Sequence, residues 1–323
     1  MLTLNATTAP SKILLSTAER LGDALFCTPA IHLLKKHLPN VQLDVIAYGA
    51  AAADIYANNP DIHHIHRCSP NKQVQKLAAN YPLVITLFHE FLQFLEPVPT
   101  QSVSVAQPDL QIHRAEQIIS FAKDLLQCEL SEDDRKYQIY PNNEDHLKIE
   151  SLFSQFHLDI KRDILIGSPL GCHRIGKRHW KIWSKTRHIH RKVWSIENYA
   201  ALANRLTANN PRIRFIITGA ESEKFLADTF LKLAPQTINL IGKTTTREMA
   251  ALFDHLNLYV THDTGSLHIA CARKTPLIAL FGPTPVTFTG PYPSSVPHTL
   301  LQKKLISEIT VDEVYRSILP FTK

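Results

Sequence analysis

The residues best suited to chemistry lie in the last third of the chain. Val260-Thr-His-Asp263-Thr264-Gly265-Ser-Leu-His268 reads as the end of a strand running directly into a helix. The first backbone N–H groups of a helix have no internal partners, so such a turn can hold a phosphate. Gly265 removes a side chain that would block close approach. His268, three residues further on, is placed to face the same mouth. The plainer alternative is that Asp263 or Thr264 caps the helix and His268 is incidental. Phe281-Gly-Pro-Thr284 ends the next strand with a tight turn and a hydroxyl. Thr218-Gly-Ala-Glu-Ser-Glu223 ends another, with two carboxylates that could reach ribose hydroxyls. Lys192-Val-Trp194-Ser195 precedes a helix that Ser195 can cap. Near the N-terminus, Arg20-Leu-Gly22-Asp23 follows the first strand and sets a carboxylate at a strand-to-helix turn, a proper position for a general base. Taken alone, Asp23 could equally be a helix cap.

Several signatures are absent. There is no GxGxxG, no GxxxxGK[ST], no HExxH and no GxSxG. No acidic DxD-type metal motif is visible, and no metal site or cofactor is expected. His63-His64-Ile-His66 invites a metal reading, with His64 and His66 on one strand face. No carboxylate or cysteine partner is evident beside them, so the triplet reads as a solvated strand edge.

The elements that must position these groups alternate. Strands are predicted at Lys12–Ser16, Gln42–Ala47, Ile62–Arg67, Leu83–Phe88 and Ser102–Val105, then at Ile164–Gly167, Arg214–Thr218, Ile238–Ile241, Leu258–Thr261 and Leu277–Phe281. Between them the pattern predicts helices over 23–38, 50–58, 70–80, 112–127, 144–157, 196–209, 221–233, 246–254, 265–273 and 310–319. Thr245-x-x-Glu248 and Thr310-x-x-Glu313 read as capping boxes. Such alternation implies an α/β protein with parallel sheets covered by helices on both faces. Of the ten glycines, Gly22, Gly49, Gly167, Gly219, Gly242, Gly265 and Gly282 fall at or just after predicted strand C-termini, the edge where open parallel sheets bind ligands. The seam near 140–162 suggests two similar domains, 1–160 and 161–323.

Composition agrees. In 323 residues, 44% hydrophobic and 20% charged content excludes a disordered chain. No apolar run is long enough for a membrane span, and no secretory signal is read at the start. The five cysteines are scattered without a CxxC, so neither a disulfide framework nor a zinc ribbon is indicated and the cytosol is the expected compartment. The net charge of +6 is local: residues 173–192 carry eight Lys or Arg, four His and no acid. A concentrated patch points to one anionic partner.

The chain resembles glycosyltransferase family 9, the bacterial lipopolysaccharide heptosyltransferases. The matching pieces are Leu-Gly-Asp23 with Thr28-Pro29-Ala30, Lys192-x-Trp with the helix SIENYAALANRL, Gly242-Lys243 before Arg247-Glu-Met-Ala-Ala-Leu, Asp263-Thr-Gly265-x-x-His268, and Leu-Phe281-Gly-Pro-Thr284. They span residues 13 to about 291 in the family's order. The resemblance implies a GT-B fold, two facing Rossmann-like domains with a cleft between them, in which the last helix packs back on the first domain. It implies an inverting transfer of heptose from an ADP-activated donor to a lipopolysaccharide core or lipid-linked acceptor, with the nucleotide sugar as substrate. Carried over by position, Asp23 would be the catalytic base. Lys192, Asp263, Thr264, Gly265 and His268 would hold the diphosphate and sugar, Glu223 the ribose, and Thr244 would sit at the adenine pocket.

One departure is plain: Lys192 lies about 25 residues beyond Gly167, where the family has a short loop, and the intervening stretch is the basic segment. Lys177-Arg-His179-Trp180 within it is a second near-match to the lysine motif, but the register of the following helix favours Lys192. The usual loop contacts to the donor are therefore not carried over. The segment is expected to meet an anionic inner-membrane surface, making the protein a peripheral one on the cytoplasmic side. No nucleic acid is expected, and the protein is expected to be a monomer. The rival readings are a family member with another nucleotide sugar or acceptor, a GT-B-like epimerase or hydrolase, and a non-catalytic nucleotide-sugar-binding protein of the same fold.

Overall fold

The computed structural model describes residues 2–69, 72–95, 100–172 and 191–322. The chain divides into two compact units, Met1–Tyr140 and Pro141–Lys323. The basic segment, apart from Arg191 and Lys192, lies outside the described residues, and so does the near-match at 177–180.

The first unit runs β1 (Lys12–Ser16), α1 (Leu21–His37), β2 (Gln42–Ala47), α2 (Ala50–Tyr56), β3 (His64–Arg67), α3 (Lys72–Ala78), β4 (Leu83–Thr86), β5 (Gln101–Ser104) and α4 (Arg114–Leu126). Its five strands are parallel, in the order β3-β2-β1-β4-β5. β1 and β4 carry the apolar runs 13–15 and 83–85 because they lie inside the sheet with helices covering both faces. α1 is buried around most of its circumference, from Ala24 to Leu34, and packs against α4. The sheet reverses its winding between β1 and β4, so their C-terminal ends border a topological switch point.

His64 and His66 do sit on an edge strand, β3, with His63 just before it, but the expectation that the triplet lacks a carboxylate is overturned. Asp44, buried in the adjacent β2, accepts from Tyr81 Oη at 2.6 Å and lies 2.9 Å from His63 Nδ1 and 3.2 Å from Lys12 Nζ. His66 Nε2 is 2.9 Å from the Tyr81 hydroxyl. Burial alone would raise the Asp44 pKa, but these donors hold it below the usual carboxylate range. Among the described residues, no group of three or more His, Cys, Asp or Glu is placed to hold a metal ion.

The second unit runs α5 (Asn143–Gln155), β6 (Ile164–Pro169), α6 (Ile196–Asn209), β7 (Ile213–Thr218), α7 (Lys224–Leu233), β8 (Ile238–Asn239), α8 (Thr246–Phe253), β9 (Leu258–His262), α9 (Gly265–Arg273), β10 (Leu277–Phe281), α10 (Val286–Thr289), β11 (His298–Gln302) and α11 (Val311–Ile318). The six strands are parallel, in the order β11-β10-β9-β6-β7-β8, with the switch point between β6 and β9. β11 was not predicted: it alternates exposed and half-buried residues at the sheet edge, unlike the apolar inner strands. Gly167 lies inside β6 rather than at its end, and a Cβ there would meet Leu256 and Tyr259 within 3 Å.

α5, the helix of the seam, packs against α8 in this unit, and Arg247 Nε donates to Asp145 Oδ2 at 3.1 Å. α11 contributes Val314 and Ile318 to the same core as Trp194, Tyr199, Phe215 and Phe230. Trp194 is fully buried, and its indole N–H donates to the Ile309 carbonyl at 2.8 Å. Both predicted capping boxes form, at Thr245–Glu248 and Thr310–Glu313, and Ser195 caps α6 by accepting from the Asn198 N–H.

Candidate functional site

The β6/β9 switch point gathers most of the expected binding residues of the second unit. β9 ends at His262, and Asp263 and Thr264 lead into α9. Thr264 is the N-cap residue but makes no side-chain cap bond, and Asp263 does not cap the helix either. Instead the Asp263 carboxylate accepts from Lys192 Nζ at 2.6 Å. The lysine side chain is 41% exposed and the aspartate 10%, so the pair presents its cationic end to solvent. Two residues 71 positions apart thus meet beside a helix start whose N–H groups carry no side-chain cap. The helix dipole and the lysine together favour an anion there.

The glycine of Phe281-Gly-Pro-Thr284 has a definite task. A Cβ on Gly282 would lie 2.8 Å from the Arg191 carbonyl oxygen and 2.8 Å from the Ile306 nitrogen. Gly282 therefore admits the chain's own backbone and seats Arg191, the neighbour of Lys192, against the end of β10. The close approach expected of this glycine is to protein, not to ligand.

The turn after β7 separates the two carboxylates that the sequence left equivalent. Glu221 is exposed and pairs with Lys224 at 2.5 Å. Glu223 is buried to 7% exposure, and its Oε2 accepts from the Ala220 N–H at 2.8 Å. It fills space left by two glycines, since a Cβ on Gly171 or Gly219 would come within 2.6 Å of its carboxylate oxygens. Burial pushes the Glu223 pKa up, and the Ala220 N–H opposes this. The next loop is tied on where the Gly242 N–H donates to the Gly219 carbonyl at 2.9 Å. Gly242 takes φ +72°, a left-handed conformation that favours glycine. Thr244 follows in this loop, half-buried, just before the Thr245 cap of α8.

His268 is the fourth residue of α9 counted from Gly265 and is 3% exposed. Its side chain is thus buried in the first turn of α9 rather than open to solvent. Ser266, on the first turn, accepts from the Tyr259 hydroxyl at 2.9 Å, and that hydroxyl is 3.0 Å from Thr218 Oγ1. This chain of buried hydroxyls links α9 to β9 and to the end of β7.

His262 and Tyr199 were not singled out from the sequence. The His262 ring is fully buried, 3.0 Å from the Tyr199 hydroxyl through Nδ1 and 3.1 Å from the Gly171 carbonyl through Nε2. His262 directly precedes Asp263, which is the one signal that could have drawn notice.

In the first unit, Asp23 lies in the first turn of α1 at the β1/β4 switch point, half-buried. The N-cap is Arg20, whose side chain makes no cap bond, so the capping alternative for Asp23 does not hold. A carboxylate in a first turn is favoured by the helix dipole. Beyond β4, Arg114 is buried to 2% exposure, lies over the Phe88 ring at 4.5 Å and donates to Glu90 Oε2 at 3.1 Å. The Cys27 thiol, one turn after Asp23, is pushed far up by burial and feels both the Arg114 cation and the Asp23 carboxylate.

Two parallel α/β units of Rossmann-like strand order, one with a carboxylate and the other with a lysine–aspartate pair at the switch point, have the architecture of a GT-B glycosyltransferase. A family 9 glycosyltransferase from Veillonella parvula superposes with a TM-score of 0.77 at 19% identity, covering 97% of each chain. The Escherichia coli ADP-heptose lipopolysaccharide heptosyltransferase II gives 0.72 at 17% identity, covering 96% of this chain and 98% of that one. The chain belongs to glycosyltransferase family 9 (heptosyltransferase), whose family profile matches residues 85–312. It is 26% identical to lipopolysaccharide heptosyltransferase 3 of Escherichia coli over 299 residues, 85% of this chain and 84% of that one. It is 25% identical to lipooligosaccharide heptosyltransferase 2 of Campylobacter jejuni over 286 residues, 87% of this chain and 84% of that one. Among the described residues, no helix is long and apolar enough to cross a membrane.

Proposed function

We propose that the protein transfers a heptose from an ADP-activated donor to a lipopolysaccharide core or lipid-linked acceptor, with inversion at the anomeric carbon. The observation that carries the reading is the Lys192–Asp263 pair beside the uncapped start of α9. Asp23 takes the proton from an acceptor hydroxyl, whose oxygen attacks the anomeric carbon. The bond from that carbon to the diphosphate oxygen breaks, and ADP leaves. Its growing negative charge is met by Lys192 and the α9 N–H groups of the Thr264-Gly265 turn, a fixed electrostatic response that needs no reorganisation at the moment of reaction. Asp263 keeps the lysine aimed, His268 with the Thr264-Gly265 turn holds the diphosphate and sugar, Glu223 takes the ribose, and Thr244 lies at the adenine. No metal takes part, so transfer survives EDTA.

The basic segment 173–192 brings the protein to the anionic inner face of the cytoplasmic membrane, where each Lys or Arg near the surface contributes about 1 kcal/mol. The protein works there as a peripheral monomer. The deciding experiment offers ADP-, UDP- and GDP-sugars to the purified protein in a thermal-shift screen, then analyses the product's anomeric configuration by NMR. A shift confined to UDP- or GDP-sugars, or retention of configuration, overturns the reading.

A further inference from the structure

We propose that His262 is a positioning residue of the nucleotide-sugar site: it holds the Gly171 backbone against Glu223, so that the wall of the site at the end of β6 is formed before the donor arrives. The proposal rests on the donor reading above. It goes beyond that reading because the donor reading gives no role to His262, whose ring is fully buried and engaged by protein groups alone.

The hydrogen-bond pattern sets the tautomer. The Gly171 carbonyl can only accept, so Nε2, 3.1 Å away, carries the proton. Nδ1 is then an acceptor, and the Tyr199 hydroxyl, 3.0 Å away, donates to it. Full burial keeps the ring neutral, holding its pKa down at about 4. Both ring nitrogens are engaged, and the imidazole is a rigid strut between the first turn of α6 and the loop after β6.

The far end of the strut bears on the donor wall. Gly171 packs so closely on Glu223 that a Cβ would lie 2.6 Å from Oε1 and 2.6 Å from Leu226 Cδ1. A shift of the Gly171 backbone therefore shifts the space in which Glu223 sits. The other Glu223 oxygen is fixed by the Ala220 N–H, so the carboxylate has a defined position only while Gly171 stays in place. The residue after His262 is Asp263, which holds Lys192. The tip of β9 thus sets the wall through one side chain and the cation through the next. A fully buried histidine with both nitrogens satisfied could equally be a core residue that only stabilises the fold. The two roles differ in what a substitution does to donor affinity at equal stability.

The test compares His262→Asn, His262→Gln and Tyr199→Phe in the full-length protein. An Asn amide can serve Tyr199 but falls short of Gly171, whereas the Gln amide nitrogen reaches about as far as Nε2 and can donate to the Gly171 carbonyl. Calorimetry gives the ADP Kd, steady-state kinetics give kcat and the KM for donor and acceptor, and thermal melts give Tm. His262→Asn should raise the ADP Kd and the donor KM about tenfold, the scale of one buried hydrogen bond. Its kcat and acceptor KM should stay within about twofold, because binding is lost equally from ground and transition states. His262→Gln should stay within about threefold of the parent. Tyr199→Phe, which frees the ring to take the wrong tautomer, should raise the donor KM by an intermediate factor, and it carries the test if the Asn variant does not fold. Equal losses in the Asn and Gln variants that follow their Tm, or no change in ADP Kd in either, overturn the proposal while leaving the donor reading intact. A parent protein that binds none of ADP, UDP and GDP overturns the donor reading and the proposal with it.

Discussion

Replacing Lys192 by alanine should damage donor binding by two separable routes, and the structure says how large each is. The first is loss of the contact from the ammonium to the diphosphate, a charge-assisted hydrogen bond of about 1.5–3 kcal/mol. The second is exposure of Asp263. Its carboxylate, only 10% exposed, accepts from Lys192 at 2.6 Å and would be left facing an anionic ligand. An ammonium bridging the carboxylate and a phosphate keeps the two anions within ~5 Å of each other. At that range unscreened repulsion is about 3 kcal/mol at an effective dielectric constant of 20 and about 0.8 in bulk water. With the lysine side of the pair 41% exposed, a value near 1 kcal/mol is appropriate. Lys192→Ala should therefore weaken ADP binding by roughly 60- to 700-fold in total. The double variant Lys192→Ala with Asp263→Asn should recover about fivefold, because the second anion is gone. Titration calorimetry with ADP at 50 and 300 mM salt measures both steps, and the recovery should shrink at the higher salt. A double variant that binds ADP no better than Lys192→Ala would refute the reasoning, because Asp263 would then hold the ligand in its own right.

Asp23→Ala should lower kcat by roughly 10²–10⁴-fold with the ADP Kd nearly unchanged, since the base acts only on the acceptor; near-full turnover in a folded variant removes it from that role. Gly282→Ala pushes a Cβ to 2.8 Å from the Arg191 oxygen and the Ile306 nitrogen and should cost about 1–3 kcal/mol in denaturant unfolding, with a raised donor KM as Lys192 shifts. The depressed pKa of His262, about 4 when folded, means that the unfolded state binds the extra proton first as pH falls. The resulting stability is complete above pH 6.5 and is lost between about pH 6.5 and 4, by roughly 3 kcal/mol; His262→Gln should flatten that part of the stability–pH curve. Changing Arg174, Lys177, Arg178 and Lys181 to Gln should weaken salt-dependent sedimentation with anionic liposomes and raise the acceptor KM without altering the ADP Kd; unchanged values in both assays would reduce the segment to a solvated loop.

Much of the architecture was legible in the chain because its signals are local. β1, β2 and β10 match their predicted bounds, and α6 and α9 match theirs. A doubly covered strand is read from its continuous apolar run, and a capped helix start carries its signal within three residues, as at Thr245–Glu248 and Thr310–Glu313. The turn from β9 into α9 was readable because a buried strand ends directly at Asp263-Thr264-Gly265, where the helix begins. The edge strand β11 was not, because half its residues face water and its apolar content is low.

The tertiary structure decided what each polar group of the site does. A sequence places Asp263 one residue before a cap and leaves open whether its carboxylate serves the helix; only the fold brings Lys192, 71 residues away, within 2.6 Å and settles the pairing. Glu221 and Glu223 are equivalent in the sequence, and Gly171 and Gly219 make the second the buried one. Asp44 joins His63 once β2 and β3 are side by side, and Tyr81 once the turn before β4 is brought across β1. His262 meets Tyr199 and Gly171 across 63 and 91 residues. Secondary structure follows from periodicity and hydrogen bonds a few residues apart, both of which can be read along the chain. The partner of a buried polar group is whichever donor the packed strands carry to it, and no local pattern encodes that choice.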